Sequence, residues 1–145
     1  MQMKIKRVLL ASDHAGFVLK QKISKYLTSK GIKILDLGTE NNNSVDYPDF
    51  AHLLAKKMKA KGNNIGILVC GSGIGMSMTA NRHKNIRAAL CYNIKSAKLS
   101  RMHNNANVIT LGSRLTKKDV ALKCVSVFLK TNFDRGRHLR RIKKI

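Results

Sequence analysis

The chain has 145 residues, 43% of them hydrophobic, which is enough for one domain with a proper core and too few for two ordinary ones. No apolar run reaches the length of a membrane span, and the basic opening MQMKIKR leads into only a short apolar run, so neither a signal peptide nor an anchor is expected and a cytoplasmic place follows. The formal charge of +22 invites a nucleic-acid reading, yet the bases are mostly lysines scattered through nearly every segment and aromatics are only 5%, whereas readers of nucleic acid gather arginine and aromatic residues on one face. Diffuse charge of that kind predicts non-specific adhesion to polyanions at low salt.

In chain order, Val8 to Ala11 is a short apolar run broken by Ser12-Asp13-His14, and Ala15 to Ser29 follows with apolar positions near helical spacing. Gly31 ends that helix, and Ile32 to Leu37 reads as a second strand closing at Gly38. Thr39 to Tyr47 is loop-like. The only proline, Pro48, suits the first turn of a helix that Ala51, Leu54, Ala55 and Met58 continue to about Lys61. Ile65 to Cys70 is the third strand, and a helix runs from near Gly75 to Asn85. Arg87 to Tyr92 is a fourth strand, Ser96 to His103 a helix, Val108 to Leu111 a fifth strand and Lys117 to Leu129 a long helix, with a basic helical tail from Arg135 to Ile145. Strands alternating with helices predict one α/β domain over residues 1–145, a three-layer αβα sandwich with a five-stranded parallel, Rossmann-like sheet and a C-terminal helical tail.

The stretch ILVCGSGIGMSMTANR, residues 67–82, carries the chemistry. A buried strand delivers Cys70 into a turn of Gly71, Ser72 and Gly73, with Ile74 and Gly75 next. At the carboxyl edge of a parallel sheet, free amides favour an anion and a thiolate. The spacing lacks the Walker lysine and is not the dinucleotide fingerprint, so a plain structural turn stays open. Cys91 and Cys124 sit inside apolar patterns and read as small core residues. With an odd number of widely spaced cysteines and no Cys/His cluster, neither a disulfide framework nor a zinc site is expected.

Other strand ends deliver polar residues to the same edge: Asp13 and His14 after the first, Gly112-Ser113-Arg114 after the fifth, and His103-Asn104 where the next helix closes. Each has a duller reading, Asp13 as a helix cap and the histidines and arginines as solvated surface groups. Arg137 and Arg141, four apart, share one helical face and suit a phosphate, each through paired N–H donors, whereas Arg140 points elsewhere.

The motifs SDHAGF at 12–17, DYP at 46–48, CGSGIGMSMTANR at 70–82, HNNAN at 103–107, GSR at 112–114 and RGRHLRR at 135–141 together resemble the type B ribose-5-phosphate isomerases, relatives of the galactose-6-phosphate isomerase subunits, over essentially the full length. The resemblance implies an aldose-ketose isomerase of the non-oxidative pentose phosphate pathway that interconverts ribose 5-phosphate and ribulose 5-phosphate without metal or organic cofactor. It also implies a homodimer, or a tetramer built from it, whose sites combine residues of two subunits. By position, Cys70 would move a proton between C2 and C1 through an enediolate, and His103 would open the furanose ring with help from Asp13. The amides of Gly71, Gly73, Ile74 and Gly75 with the Ser72 hydroxyl would hold the enediolate. His14, Arg114, Arg137 and Arg141 would bind the phosphate, while Tyr47 and Asn104 line the sugar. Relatives that lack the cysteine use a carboxylate six residues beyond it; here Met76 stands there, so the role rests on Cys70. A six-carbon substrate, allose 6-phosphate or galactose 6-phosphate, stays open, and a basic nucleic-acid-binding module is the remote alternative.

Overall fold

A computed structural model of the chain describes residues 5, 7–58 and 62–145. Most of the basic lead MQMKIKR, and the expected helix end at Lys61, lie outside the described residues. The elements are β1 (Arg7–Ser12), α1 (Phe17–Ser29), β2 (Ile34–Asp36), α2 (Tyr47–Lys57), β3 (Asn64–Cys70), α3 (Ile74–Ala80), β4 (Ala88–Leu90), α4 (Ile94–Asn104), β5 (Val108–Gly112), α5 (Lys118–Lys130) and α6 (Gly136–Ile142). The five strands form one sheet in the order β2-β1-β3-β5-β4, and every pairing is parallel. This is the three-layer α/β architecture expected from the alternation of strand and helix patterns.

The period of two in the strands sorts the core into two clusters. Val8 and Leu10 of β1 and Ile65, Ile67 and Val69 of β3 pack with Leu19, Ile23 and Leu27 of α1 and with Ala121, Cys124, Val125 and Phe128 of α5. Leu9, Ala11, Leu68 and Cys70 face the other way, onto Ala51, Leu54, Ala55 and Met58 and onto Met76 and Ala80 of α3. Burying side chains such as Leu54 and Phe128 this completely stabilises the fold by roughly 1.5–3 kcal/mol each. Cys91 and Cys124 are buried free thiols in the first cluster, as their apolar setting predicts. Burial, with the neighbouring Cys91 adding to it, pushes the Cys124 thiol up to about 11.

Connections leave β1 and β3 toward opposite faces of the sheet, so a crevice opens between the carboxyl ends of these two neighbours. The register pairs Ser12 with Val69 and Cys70 with Gly112, so the residues after β1, β3 and β5 emerge side by side. Ser113 and Arg114 donate backbone N–H groups to the carbonyls of Cys70 (2.9 Å) and Gly71 (3.0 Å), and the Ser113 hydroxyl donates to the Ala15 carbonyl at 2.7 Å. Three loops are thereby stitched into one edge.

Several element ends differ from the sequence expectation, each for a local reason. The third helix stops at Ala80 instead of reaching Asn85, because the Asn81 amide bonds both backbone groups of Ala88, accepting from its N–H at 2.7 Å and donating to its carbonyl at 2.9 Å. That clamp turns the chain straight into β4. The first helix begins at Phe17, because Asp13 Oδ1 accepts the Gly16 N–H at 3.0 Å and holds residues 13–16 in a tight turn. Edge strands β2 and β4, each paired on one side only, shrink to three residues.

Candidate active site

A cleft of about 520 Å³ opens at the carboxyl edge, lined by Asp13, Tyr47, Cys70, Gly71, Ser72, Ile74, Gly75, Met78, Arg114 and Leu115. Eight of these were candidates from sequence; Met78 and Leu115 were not. Nothing in their apolar character marked them.

Cys70 is the last residue of β3 and 4% exposed, so its thiol meets the cleft at the floor. The Gly73 N–H donates to its Sγ at 3.1 Å. This bond makes the sulfur a hydrogen-bond acceptor at the floor of the cleft. The geometry requires glycine at 73: φ is +79°, and a Cβ there would stand 2.7 Å from Leu90 Cδ1. This amide, expected to face the reaction intermediate, in fact holds the sulfur. The Ile74 N–H donates to Ser72 Oγ at 3.2 Å, which leaves the hydroxyl proton of Ser72 to turn toward the cleft.

Asp13 is buried and closes the turn before α1, its Oδ1 accepting the Gly16 N–H, while it lines the cleft beside Cys70; the helix N-cap itself is Gly16, with no side-chain cap bond. His14 does not line the cleft; its Nδ1 accepts the Val45 N–H at 3.2 Å, which places its proton on Nε2 and makes that nitrogen a donor. Tyr47 opens α2 and lays its ring over the glycine turn, so close that a Cβ on Gly75 would be 2.4 Å from Tyr47 Cζ. Arg114 lies along the other wall, with its NH1 nitrogen 3.2 Å from where a Gly71 Cβ would be. The cleft thus has one thiol, one carboxylate and one guanidinium around an amide-rich turn.

His103, Asn104, Arg137 and Arg141 do not line this cleft. They form a second group, built from the end of α4 and from α6. Arg137 and Arg141 are exposed and one helical turn apart, and Asn104 is exposed beside a separate depression with Arg87 and Ala106. The His103 ring stacks on His138, with centroids 4.3 Å apart and planes at 12°. Asp134 brings a carboxylate within 4.8 Å of ligand atoms on both rings. The two stacked rings hold their in-plane lone pairs in nearly parallel planes. Desolvation, then the positive charges of His103, Arg137 and Arg141, lower the His138 pKa, with Asp134 opposing. Sequence reasoning passed over Asp134 and His138, although His138 stands inside the RGRHLRR motif.

An open parallel sheet with a thiol, a carboxylate and a guanidinium gathered at its carboxyl edge defines an α/β protein with a polar, cationic-walled cleft there. The chain belongs to the Ribose/Galactose Isomerase family, whose profile matches residues 8–145. It is similar to ribose-5-phosphate isomerase B of Escherichia coli, 37% identical over 97% of this chain and 95% of that protein. Among solved structures it resembles ribose 5-phosphate isomerase B from Anaplasma phagocytophilum, at 47% identity, TM-score 0.93 and 99% coverage of each chain. It also resembles the Mycoplasma genitalium ribose-5-phosphate isomerase B solved with bound ribulose-5-phosphate, at 46% identity and TM-score 0.92, covering 95% of this chain and 92% of that one.

Proposed function

We propose that the protein is a ribose-5-phosphate isomerase that interconverts ribose 5-phosphate and ribulose 5-phosphate. The observation that carries this reading is the placement of Cys70 Sγ, amide-bonded, on the floor of a cleft that also holds Asp13 and Arg114. In the aldose-to-ketose direction the Cys70 thiolate takes the C2 proton of the open-chain sugar, the C–H electron pair becomes the C1–C2 double bond, and the aldehyde oxygen becomes the oxyanion of an enediolate. The O2 hydroxyl proton then passes to O1, and the thiol returns its proton to C1 as the O2 oxyanion collapses to the ketone at C2. Such a weakly acidic proton needs both a base in reach and fixed donors at the oxyanion, an effect worth roughly 3–4 kcal/mol per donor. Ser72 with the amides of Gly71 and Gly75 supplies donors, Asp13 and His103 serve ring opening, and Tyr47 and Asn104 line the sugar. His14, Arg114, Arg137 and Arg141 hold the phosphate.

This assignment needs a second copy of the chain. His103, Asn104, Arg137 and Arg141 stand outside the cleft, while Tyr47, Ile74, Met78 and Leu115 expose 40 to 69% of their surface around it. An apolar collar of that kind supports a homodimer, alone or within a tetramer, in which each subunit completes the other's site. Among the described residues no helix is long and apolar enough to cross a membrane, and a cytoplasmic place is proposed with the activity.

The test is direct: purified protein with ribose 5-phosphate yields ribulose 5-phosphate, and sedimentation reports a dimer or tetramer. Absence of turnover sinks the reading. The family's name spans two sugar classes, so a six-carbon sugar phosphate is the second reading; kcat/KM on ribose 5-phosphate against allose 6-phosphate and galactose 6-phosphate decides between them.

A further inference from the structure

The second group of site residues comes from two segments far apart in sequence, 103–107 at the end of α4 and 131–141 running from the end of α5 into α6. One side chain bonds both. Arg101, 3% exposed on the buried face of α4, donates from Nε to the Thr131 carbonyl at 3.3 Å, and from an NH1 nitrogen to Asn105 Oδ1 at 3.2 Å and to the Ala106 carbonyl. Its Cζ lies 5.5 Å from the Phe128 ring centroid, which fixes the guanidinium plane against α5. A second arginine, Arg87, grips the same turn from β4's side, with Nε and NH2 donating to the Asn105 carbonyl at 3.0 and 2.9 Å. Asn105 needs this support, since it is a non-glycine residue at φ 45°. Met102 adds one backbone tie, accepting the Asp134 N–H at 3.0 Å.

Neither guanidinium forms an ion pair; the one salt bridge among the described residues is Lys20–Asp36. Desolvation lowers the pKa of Arg101, and the charge of Arg87 adds to it. Two like charges converging on one short turn, paired only with carbonyl and amide oxygens, are costly for the fold. The turn they hold follows directly on His103 and Asn104.

We propose that Arg101, assisted by Arg87, is a positioning residue that locks the His103–Asn104 turn and the segment carrying Asp134, Arg137, His138 and Arg141 into one rigid half-site. The proposal rests on the functional reading above and deepens it. Removing Arg101 frees both segments, so the ring-opening group and the phosphate arginines drift together.

The test pairs ribose 5-phosphate kinetics with amide hydrogen exchange on the wild type and Arg101→Met. We expect kcat/KM to fall on the order of 100-fold, with KM rising as kcat falls, because both groups lose their places. A loss of folded protein alone would lower apparent kcat and leave KM unchanged. Exchange should accelerate in both 103–107 and 131–135 while β1, β3 and β5 stay protected. Wild-type exchange in either segment, or an unchanged KM, overturns the proposal. Should Arg101→Met fail to fold, Asn105→Gly takes its place: it keeps the left-handed backbone, deletes one acceptor, and should raise KM and speed exchange over 103–107, with wild-type values for both overturning the clamp. If the wild type turns over no sugar phosphate, the functional reading falls, and the exchange measurements still decide whether Arg101 couples the two segments.

Discussion

The Gly73 N–H points at Cys70 Sγ from 3.1 Å, which sets the sulfur as a hydrogen-bond acceptor inside the cleft. The same turn could have left that donor free for a ligand; here it is taken up by the sulfur.

If Cys70 is the base, Cys70→Ala lowers kcat by a factor on the order of 100 to 10,000. The circular dichroism spectrum should be unchanged, because Cys70 contributes little volume to its cluster. Turnover near the wild-type rate in a folded variant would remove the sulfur from the mechanism.

The contact between Gly75 and Tyr47 leaves no room for a methyl group. Gly75→Ala should expel the Tyr47 ring from the wall of the cleft and destabilise the protein by about 1–3 kcal/mol. Because the clash is with a half-exposed side chain, Tyr47→Ala in the same chain should recover most of that stability. A double-mutant cycle in urea checks the coupling, and additive effects would show that the two residues do not press on one another.

Lys20 and Asp36 form an unequal pair: Lys20 Nζ lies 2.6 Å from both carboxylate oxygens, and the side chains are 2% and 40% exposed. Asp36→Asn strands a buried ammonium and should cost about 3 kcal/mol or more. Lys20→Met leaves a carboxylate that water reaches, and should cost under about 1 kcal/mol. Chemical denaturation of both variants checks the order, and the reverse order would refute this account of the pair.

His83 reports on pH. Its Nε2 lies 2.7 Å from His52 Nδ1, and desolvation, then the charges of His52 and Lys56, lower its pKa below the ordinary 6.5. The unfolded chain therefore takes up a proton first as pH falls through 6.5, and stability is lost from there down until the folded state protonates too. Above 6.5 this histidine contributes no slope. His83→Gln should flatten the acid side of a stability-against-pH profile, and an unchanged slope would place the proton uptake elsewhere.

Most of the architecture is legible in the chain alone. Apolar runs such as Ile65 to Cys70 between glycine and asparagine turns allow little besides strands, and the spacing of Ala51, Leu54, Ala55 and Met58 allows little besides a helix with one buried face. Local patterns fix these elements because their driving force, one apolar face seeking cover, is local. The helix end at Ala80 was not legible, since the Asn81 clamp on Ala88 depends on where the following strand enters the sheet.

The site divides in the same way. By itself, the sequence determined which residues have the right chemistry, because strand ends in a parallel sheet must emerge on one edge, and Cys70, Asp13 and Arg114 do share a cleft there. Only the tertiary structure decided that Gly73 bonds the sulfur, that Asp13 closes the turn before α1 while lining the cleft, and that His103 stacks on His138 outside that cleft. Those outcomes depend on side-chain directions and on packing between segments a hundred residues apart in the chain, as in the Ser113 bond to Ala15, and no periodicity along the sequence records such distances.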